Sequence, residues 1–337
     1  MTRTTQIFKT LALWMPVAFL SAFLFHWQPA KAQNNASAYP QKPIKILVGF
    51  SPGGVPDIVA RVLAPKFTED WKQPVIVENK LGAGSNIAAQ AAATSAPDGY
   101  TWVMGFDGTM VINPHVFAKV GFDPINDYAP IGKIGDATLI LVANPNVPAK
   151  NLQELIALSK KTPGGLSYGT SGTGSTPHIA GELFKIRSGA QLTHVPYKGG
   201  PPAFTDLVGG RIPAMVSGMQ GALPQIKAEK IRALAVTGMR RSPALPDVPT
   251  VNEALGLRDY EALNWQSLLF PAGTPKPVVD RVATEVIKIL AQADVRERLL
   301  QMGYEPIGNR PEQFASAALA DQKRWSAIIQ AANITSD

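Results

Sequence analysis

The 337-residue chain has no cysteine and only four histidines, His26, His115, His178 and His194. Without cysteine there is no disulfide framework, no thiolate metal site and no cysteine nucleophile. With so few histidines a multi-histidine metal centre is not expected. Charged residues make up 17% and hydrophobic ones 45%, a globular composition that excludes a disordered chain. The recognised catalytic signatures are missing too: no HExxH, no Gly-Lys-Ser/Thr phosphate loop, no GxGxxG and no GxSxG serine elbow. Beyond residue 32 no apolar run reaches 18 residues, so the mature chain is expected to have no membrane span.

What is present begins with an export signal. Arg3 and Lys9 precede an apolar run over residues 11–27, broken by Pro16 and His26 and followed by Ala30-Lys31-Ala32. That order is a secretory signal peptide over residues 1–32, cleaved near Ala32. A membrane anchor would need a longer, unbroken run. Removing the signal deletes Arg3, Lys9 and Lys31 and no acid. The net charge of +7 then falls to +4, with 29 basic against 25 acidic residues. So mild an excess, spread along the chain, does not suggest a nucleic-acid surface.

The rest of the chain repeats one rhythm: apolar strand, glycine turn, helix. Residues 44–50 read as a buried strand, 51–54 as a tight turn and 55–71 as a helix with Ile58, Val62, Leu63 and Phe67 on one face. The pattern recurs with turns over residues 82–86 and 169–174. Such alternation predicts parallel βαβ units. Residues 123–135, rich in Pro, Gly, Asn and Asp, read as an irregular connection, and a second crossing is expected over 260–271. Two crossings between two α/β lobes would make a cleft with a hinge. The expected organisation is 39–141 plus 263–337 as lobe 1 and 142–262 as lobe 2.

Three segments could carry recognition. The first, Gly49 to Asp57, joins a strand end, a glycine turn and a helix start, where unpaired N–H groups favour an anion. It could equally be an ordinary βα turn. The second, Gly169 to His178, sets glycines and hydroxyl residues ahead of a helix, with Pro177 in its first turn. The third, His194 to Ala203, offers Tyr197 and Lys198, the latter as readily a solvated lysine. Gly82 to Asn86 and Phe106 to Thr109 are weaker candidates, the latter at a strand end where open α/β sheets place ligands. Trp265 could line the cleft or fill the core. His178 could cap its helix locally. Ser175, His178 and Asp57 make a paper triad of a kind that any chain of this size allows.

In order along the chain, Phe50-Ser51-Pro52-Gly53-Gly54-x-x-Asp57, Glu78 to Ile87, Pro97-Asp98-Gly99-Tyr100-Thr101, Gly169 to Gly181, Val195-Pro196-Tyr197-Lys198-Gly199, Arg232 to Thr237, Leu245 to Thr250 and Pro271-Ala272-Gly273-Thr274-Pro275 resemble one family. It is the Bug-type solute-binding receptors of tripartite tricarboxylate transporters, and the resemblance spans about residues 39–330. It implies an α/β, type II periplasmic-binding-protein-like fold of two lobes that close on a small organic carboxylate. It also implies delivery of that ligand to membrane transporter subunits, no enzyme activity, no cofactor and no metal. A periplasmic location and a monomer are expected. The implied ligand contacts are Ser51, Gly54, Asp57, Gly84, Thr109, Ser171, Gly172, Ser175, His178 and Tyr197. Asp57 could bind a ligand ammonium, orient water or stabilise its own helix start. Ser51 stands where the family commonly has proline, and Pro213 where a polar residue is frequent, which bears on the ligand's distal group. Two other outputs fit the same residues: a receptor that reports to a membrane sensor, or an exported hydrolase using Ser175 and His178.

Overall fold

The structure is a computed structural model that describes residues 38–335; the export signal expected over residues 1–32 lies outside them. Short apolar runs make the strands. β1 (Ile44–Val48), α1 (Val55–Trp71), β2 (Val75–Asn79), α2 (Asn86–Ala93) and β3 (Thr101–Phe106) form two parallel units, with β1 between β2 and β3. A π-helical turn, Gly108–Ile112, leads into the short α3 (Asn113–Val116). Pro56 opens α1, where its missing N–H costs nothing.

A second set of parallel strands follows β4 (Tyr128–Ala143). It comprises α4 (Leu152–Lys161), β5 (Leu166–Thr170), α5 (Thr176–Ser188), β6 (Leu192–Pro196), α6 (Gly200–Val208), β7 (Ala214–Gly218), α7 (Met219–Lys227) and β8 (Arg232–Val236). β5 pairs in parallel with both β6 and β7. The helices start where side chains can take up a free N–H: Asn151 accepts from the Glu154 amide at 2.9 Å, and Ser175 from that of His178. α8 (Val251–Leu255) begins with a Thr250/Glu253 capping box. β9 (Leu263–Pro271) then returns to the first strands, followed by α9 (Lys276–Leu290), α10 (Ala293–Gln301), β10 (Tyr304–Pro306) and α11 (Pro311–Ala331).

The strand order is β2-β1-β3-β9-β4-β7-β5-β6, with β8 and β10 also paired to β4. β4 is the joint. Its residues 128–138 run antiparallel to β9, and residues 139–143 run antiparallel to β7 and β8. The irregular connection expected over residues 123–135 is therefore corrected from residue 128 onward, where β4 begins. Ile131 and Ile134 are fully buried, and two register shifts, at Pro130/Gly132 and Lys133/Gly135, absorb the residues that disguise the strand. A Cβ on Gly132 would stand 2.4 Å from the Asn309 carbonyl oxygen, and one on Gly135 would stand 2.2 Å from that of Glu305. These glycines admit a crossing backbone; they do not mark a loop.

Apolar residues gather in three clusters. One, around Trp102, Phe67 and Phe270, lies between α1, α9 and the first strands. One, around Met215 and Met219, lies under α6 and α7. The largest runs across the joint and takes in Leu139, Tyr168, Trp265 and Trp325. Trp265 is thus a core residue, its indole N–H donating to Asp321 at 2.9 Å. No helix among the described residues is long and apolar enough to cross a membrane.

Candidate ligand-binding site

The expected residues lie at the carboxyl ends of the parallel strands, as this topology requires. At the end of β1, Gly53 takes φ +87°, and its N–H donates to Asp57 Oδ2 at 2.9 Å. Asp57 is buried in the first turn of α1. It also accepts Arg61 Nε at 3.0 Å and Asn79 Nδ2 at 2.8 Å. Burial pushes its carboxyl up, but Arg61, Asn79 and the Gly53 amide outweigh that and hold it below the ordinary range. Asp57 therefore ties turn, helix and β2 together. Ser51 is exposed, and its carbonyl receives the Gly54 N–H at 3.1 Å. The first-turn amides of Val55 and Asp57 have no partner among the described residues.

Gly84 adopts φ +60° in the short turn before α2. Its carbonyl accepts Asn113 Nδ2 at 2.9 Å and the Thr109 hydroxyl at 3.4 Å. Phe106, at the end of β3, packs edge-on against Phe50. The segment 106–109 thus meets both glycine turns of the first half.

The third turn is built to keep some amides and release others. Gly172, at φ +132°, gives its N–H to the Thr170 hydroxyl; its carbonyl takes the Ser175 hydroxyl at 2.7 Å. The Gly174 N–H goes to His178 Nδ1 at 3.1 Å, and the His178 N–H to Ser175 Oγ. The amides of Ser171, Thr173 and Thr176 are left without a partner among the described residues. The Ser171 carbonyl takes the Gly199 N–H at 3.2 Å. Tyr197 turns its hydroxyl to Asp206 at 2.8 Å.

The two halves touch here. A Cβ on Gly174 would stand 3.6 Å from the Val116 Cβ, and Asn264 Nδ2 donates to the Thr176 hydroxyl at 3.0 Å. Asp107, next to Phe106, lies near Thr176. The site is rich in backbone donors. Arg61, beside it, is bonded to Asp57 and Asn79.

Residues 59–334 match the profile of the tripartite tricarboxylate transporter family receptor. The chain belongs to that family. It is similar to protein BugT of Bordetella pertussis, 33% identical over 300 residues, covering 89% of this chain and 92% of that one. Among solved structures it is similar to a Rhodopseudomonas palustris protein with adipate, at 33% identity and TM-score 0.82, covering 88% of this chain and 99% of that one. A second is MatC from Rhodopseudomonas palustris with bound malate, at 31% identity and TM-score 0.75, covering 86% and 100%. The Bug-type resemblance and the periplasmic-binding-protein fold read from the sequence both stand on these matches.

In this tricarboxylate-type receptor, His178 stacks on His194 with ring centres 3.7 Å apart and planes 13° apart. His194 Nε2 meets the Thr170 hydroxyl at 2.6 Å. Burial holds the His178 pKa down at about 4, despite Glu182 3.9 Å away. Burial, the His178 ring and Lys185 hold His194 at about 3. Both rings are neutral near pH 7. His194 braces the third turn through Thr170 and the His178 ring, a role that the sequence reading did not assign. Arg61 was also missed, although its position four residues after Asp57 on a helix is a pairing signal. Asn113, by contrast, gives no local signal, because its partner Gly84 is 29 residues away.

Proposed function

We propose that this receptor is exported to the periplasm, captures a small organic carboxylate between lobes formed by residues 39–141 plus 263–337 and residues 142–262, and delivers it to tripartite membrane transporter subunits. The observation that carries this reading is the set of unpaired amides at the starts of α1 and α5. A carboxylate needs several donors, and helix-start N–H groups supply them with a favourable dipole. With Arg61 already spent on Asp57, those amides dominate anion recognition, which favours a ligand of modest charge. The adipate and malate seen with its R. palustris relatives support that ligand class.

The same bonds support binding without catalysis by Ser175 and His178. The Ser175 hydroxyl donates to the Gly172 carbonyl, and His178 Nδ1 is occupied by the Gly174 N–H. Serine and histidine are not set as nucleophile and base, so the hydrolase alternative lacks its essential bond.

Val55→Pro tests the amide reading. Val55 is the first residue of α1, where proline suits the helix, and Gly54 before it is already extended at ψ 161°. The substitution removes one N–H and keeps apolar bulk. Calorimetry with the best carboxylate from a thermal-shift screen is expected to show a roughly tenfold or greater loss of affinity with the melting temperature of the free protein nearly unchanged. Unchanged affinity would discard the amide cradle. Failure of mono-, di- and tricarboxylates alike to raise the melting temperature would discard the carboxylate reading.

A further inference from the structure

Asp107 is fully buried at the carboxyl end of β3, and neither carboxylate oxygen makes a hydrogen bond of ordinary geometry. The Thr176 hydroxyl and the Gly108 amide ease its charge from nearby, while Asp321 of α11 and Asp136 of β4 oppose it. A buried carboxyl with two orphan oxygens is costly, and such a group calls for an explanation. Its position supplies one. Phe106 before it packs on Phe50 of the first glycine turn, and Thr109 after it bonds Gly84 of the second. Thr176, which opens α5 after the third turn, faces it from the other half of the molecule. Asp107 therefore lies on a segment whose neighbouring residues meet the first two glycine turns, with Thr176 of the third beside it, and it is an acid with acceptor capacity to spare. Asp57, the acid that the sequence offers for a ligand ammonium, has its oxygens committed to Gly53, Arg61 and Asn79.

We infer that Asp107 is a specificity-determining residue of the ligand site: it accepts a hydrogen bond from a hydroxyl or ammonium group on the carboxylate ligand. The preferred ligand is thus a hydroxy or amino acid, and the plain acid of the same length binds less well. This rests on the carboxylate reading above. The amides take the carboxylate and Asp107 takes the donor next to it. A ligand without that donor leaves two buried oxygens unmatched, and this is how a polar site rejects a close analogue.

Calorimetry on the mature chain with succinate, malate and aspartate, and with adipate and 2-aminoadipate, tests the assignment. The donor-bearing member of at least one length class is expected to bind roughly ten- to a hundredfold more tightly than its plain partner. In Asp107→Ala that ratio is expected to fall to near one, with the plain acid bound as before. Asp107→Asn keeps an acceptor oxygen without a charge. It is expected to keep a preference for a hydroxyl and to lose one for an ammonium, and it serves where the alanine variant does not fold. Plain acids bound as tightly as their hydroxy and amino partners, or a ratio unmoved by either substitution, would overturn the role of Asp107 and leave the carboxylate reading intact. Binding of none of the five acids, together with a blank thermal-shift screen, would overturn the carboxylate reading and this one with it. A blank here beside binding of some other carboxylate that carries no hydroxyl or ammonium would overturn the Asp107 role alone.

Discussion

Asp57 and Asp107 are both buried acids beside glycine turns, and their surroundings drive them in opposite directions. Asp57 gains Arg61, Asn79 and an amide, so its folded pKa lies below that of the unfolded chain. Its stabilisation is present above about pH 4 and is lost as pH falls through the lower folded value. Asp57→Ala is expected to destabilise the protein by about 2 kcal/mol at pH 7 in denaturant unfolding, and by less toward pH 3. Asp107 has a folded pKa well above its unfolded one. For a raised acid the sign reverses: stability is greatest below the unfolded value and declines as pH rises toward the folded one. Asp107→Asn is therefore expected to raise the melting temperature of the free protein at pH 7. A fall would show that the carboxyl has partners in solution which the fold does not display. The sequence alone could not separate these two acids. Asp57 carries a helix-spaced arginine as a clue, whereas the isolation of Asp107 exists only once α5, α11 and β4 close around it.

At the scale of elements, the strand–turn–helix units were readable because each is local. The apolar runs, the proline and the cap of α5 all fall within a dozen residues, and those elements fold as their periodicity dictates. β4 was not readable, because its glycines and Pro130 answer to segments around Asn309 and Leu269 that are distant in sequence. The site divides in the same way: the glycine turns are visible in the chain, but which of their amides stay free depends on Thr170, His178 and Asp57. The start of α5 makes this testable. His178 must be neutral at Nδ1 to accept the Gly174 N–H. Its folded pKa of about 4, and about 3 for His194, lie below the unfolded value near 6.5, so the unfolded chain binds more protons between them. Stability is expected to fall by roughly 2 kcal/mol for each ring, and so by about 4–5 kcal/mol from the pair, as pH drops from 7 to 4.5. His178→Asn keeps an acceptor for Gly174 and removes one titration. It is expected to flatten the loss of melting temperature across that range, and an unchanged slope would place the acid sensitivity elsewhere.

The whole molecule poses the question of movement. β4 and β9 carry the chain between the two sets of parallel strands, and β4 changes partners between Thr138 and Leu139. Two strands joined in this way can bend together, and a ligand that touches both halves would favour the closed arrangement. The absence of cysteine turns this into a clean experiment. The Cβ separation of 3.6 Å at Val116 and Gly174 lies within the range that a disulfide spans. The variant Val116→Cys/Gly174→Cys is thus expected to cross-link when the halves are closed and to resist when they are open. Gly174 has φ +72°, so the cysteine there costs about 1–3 kcal/mol of strain. The free protein must therefore melt cooperatively before oxidation is begun. If ligand shifts the balance toward closure, the rate of disulfide formation under mild oxidant will rise with carboxylate concentration and saturate with the binding curve. Protein cross-linked without ligand will then take up ligand slowly or not at all until reduced. A rate indifferent to a carboxylate that calorimetry shows to bind would mean that the halves hold one arrangement, and that selection happens inside a site already formed.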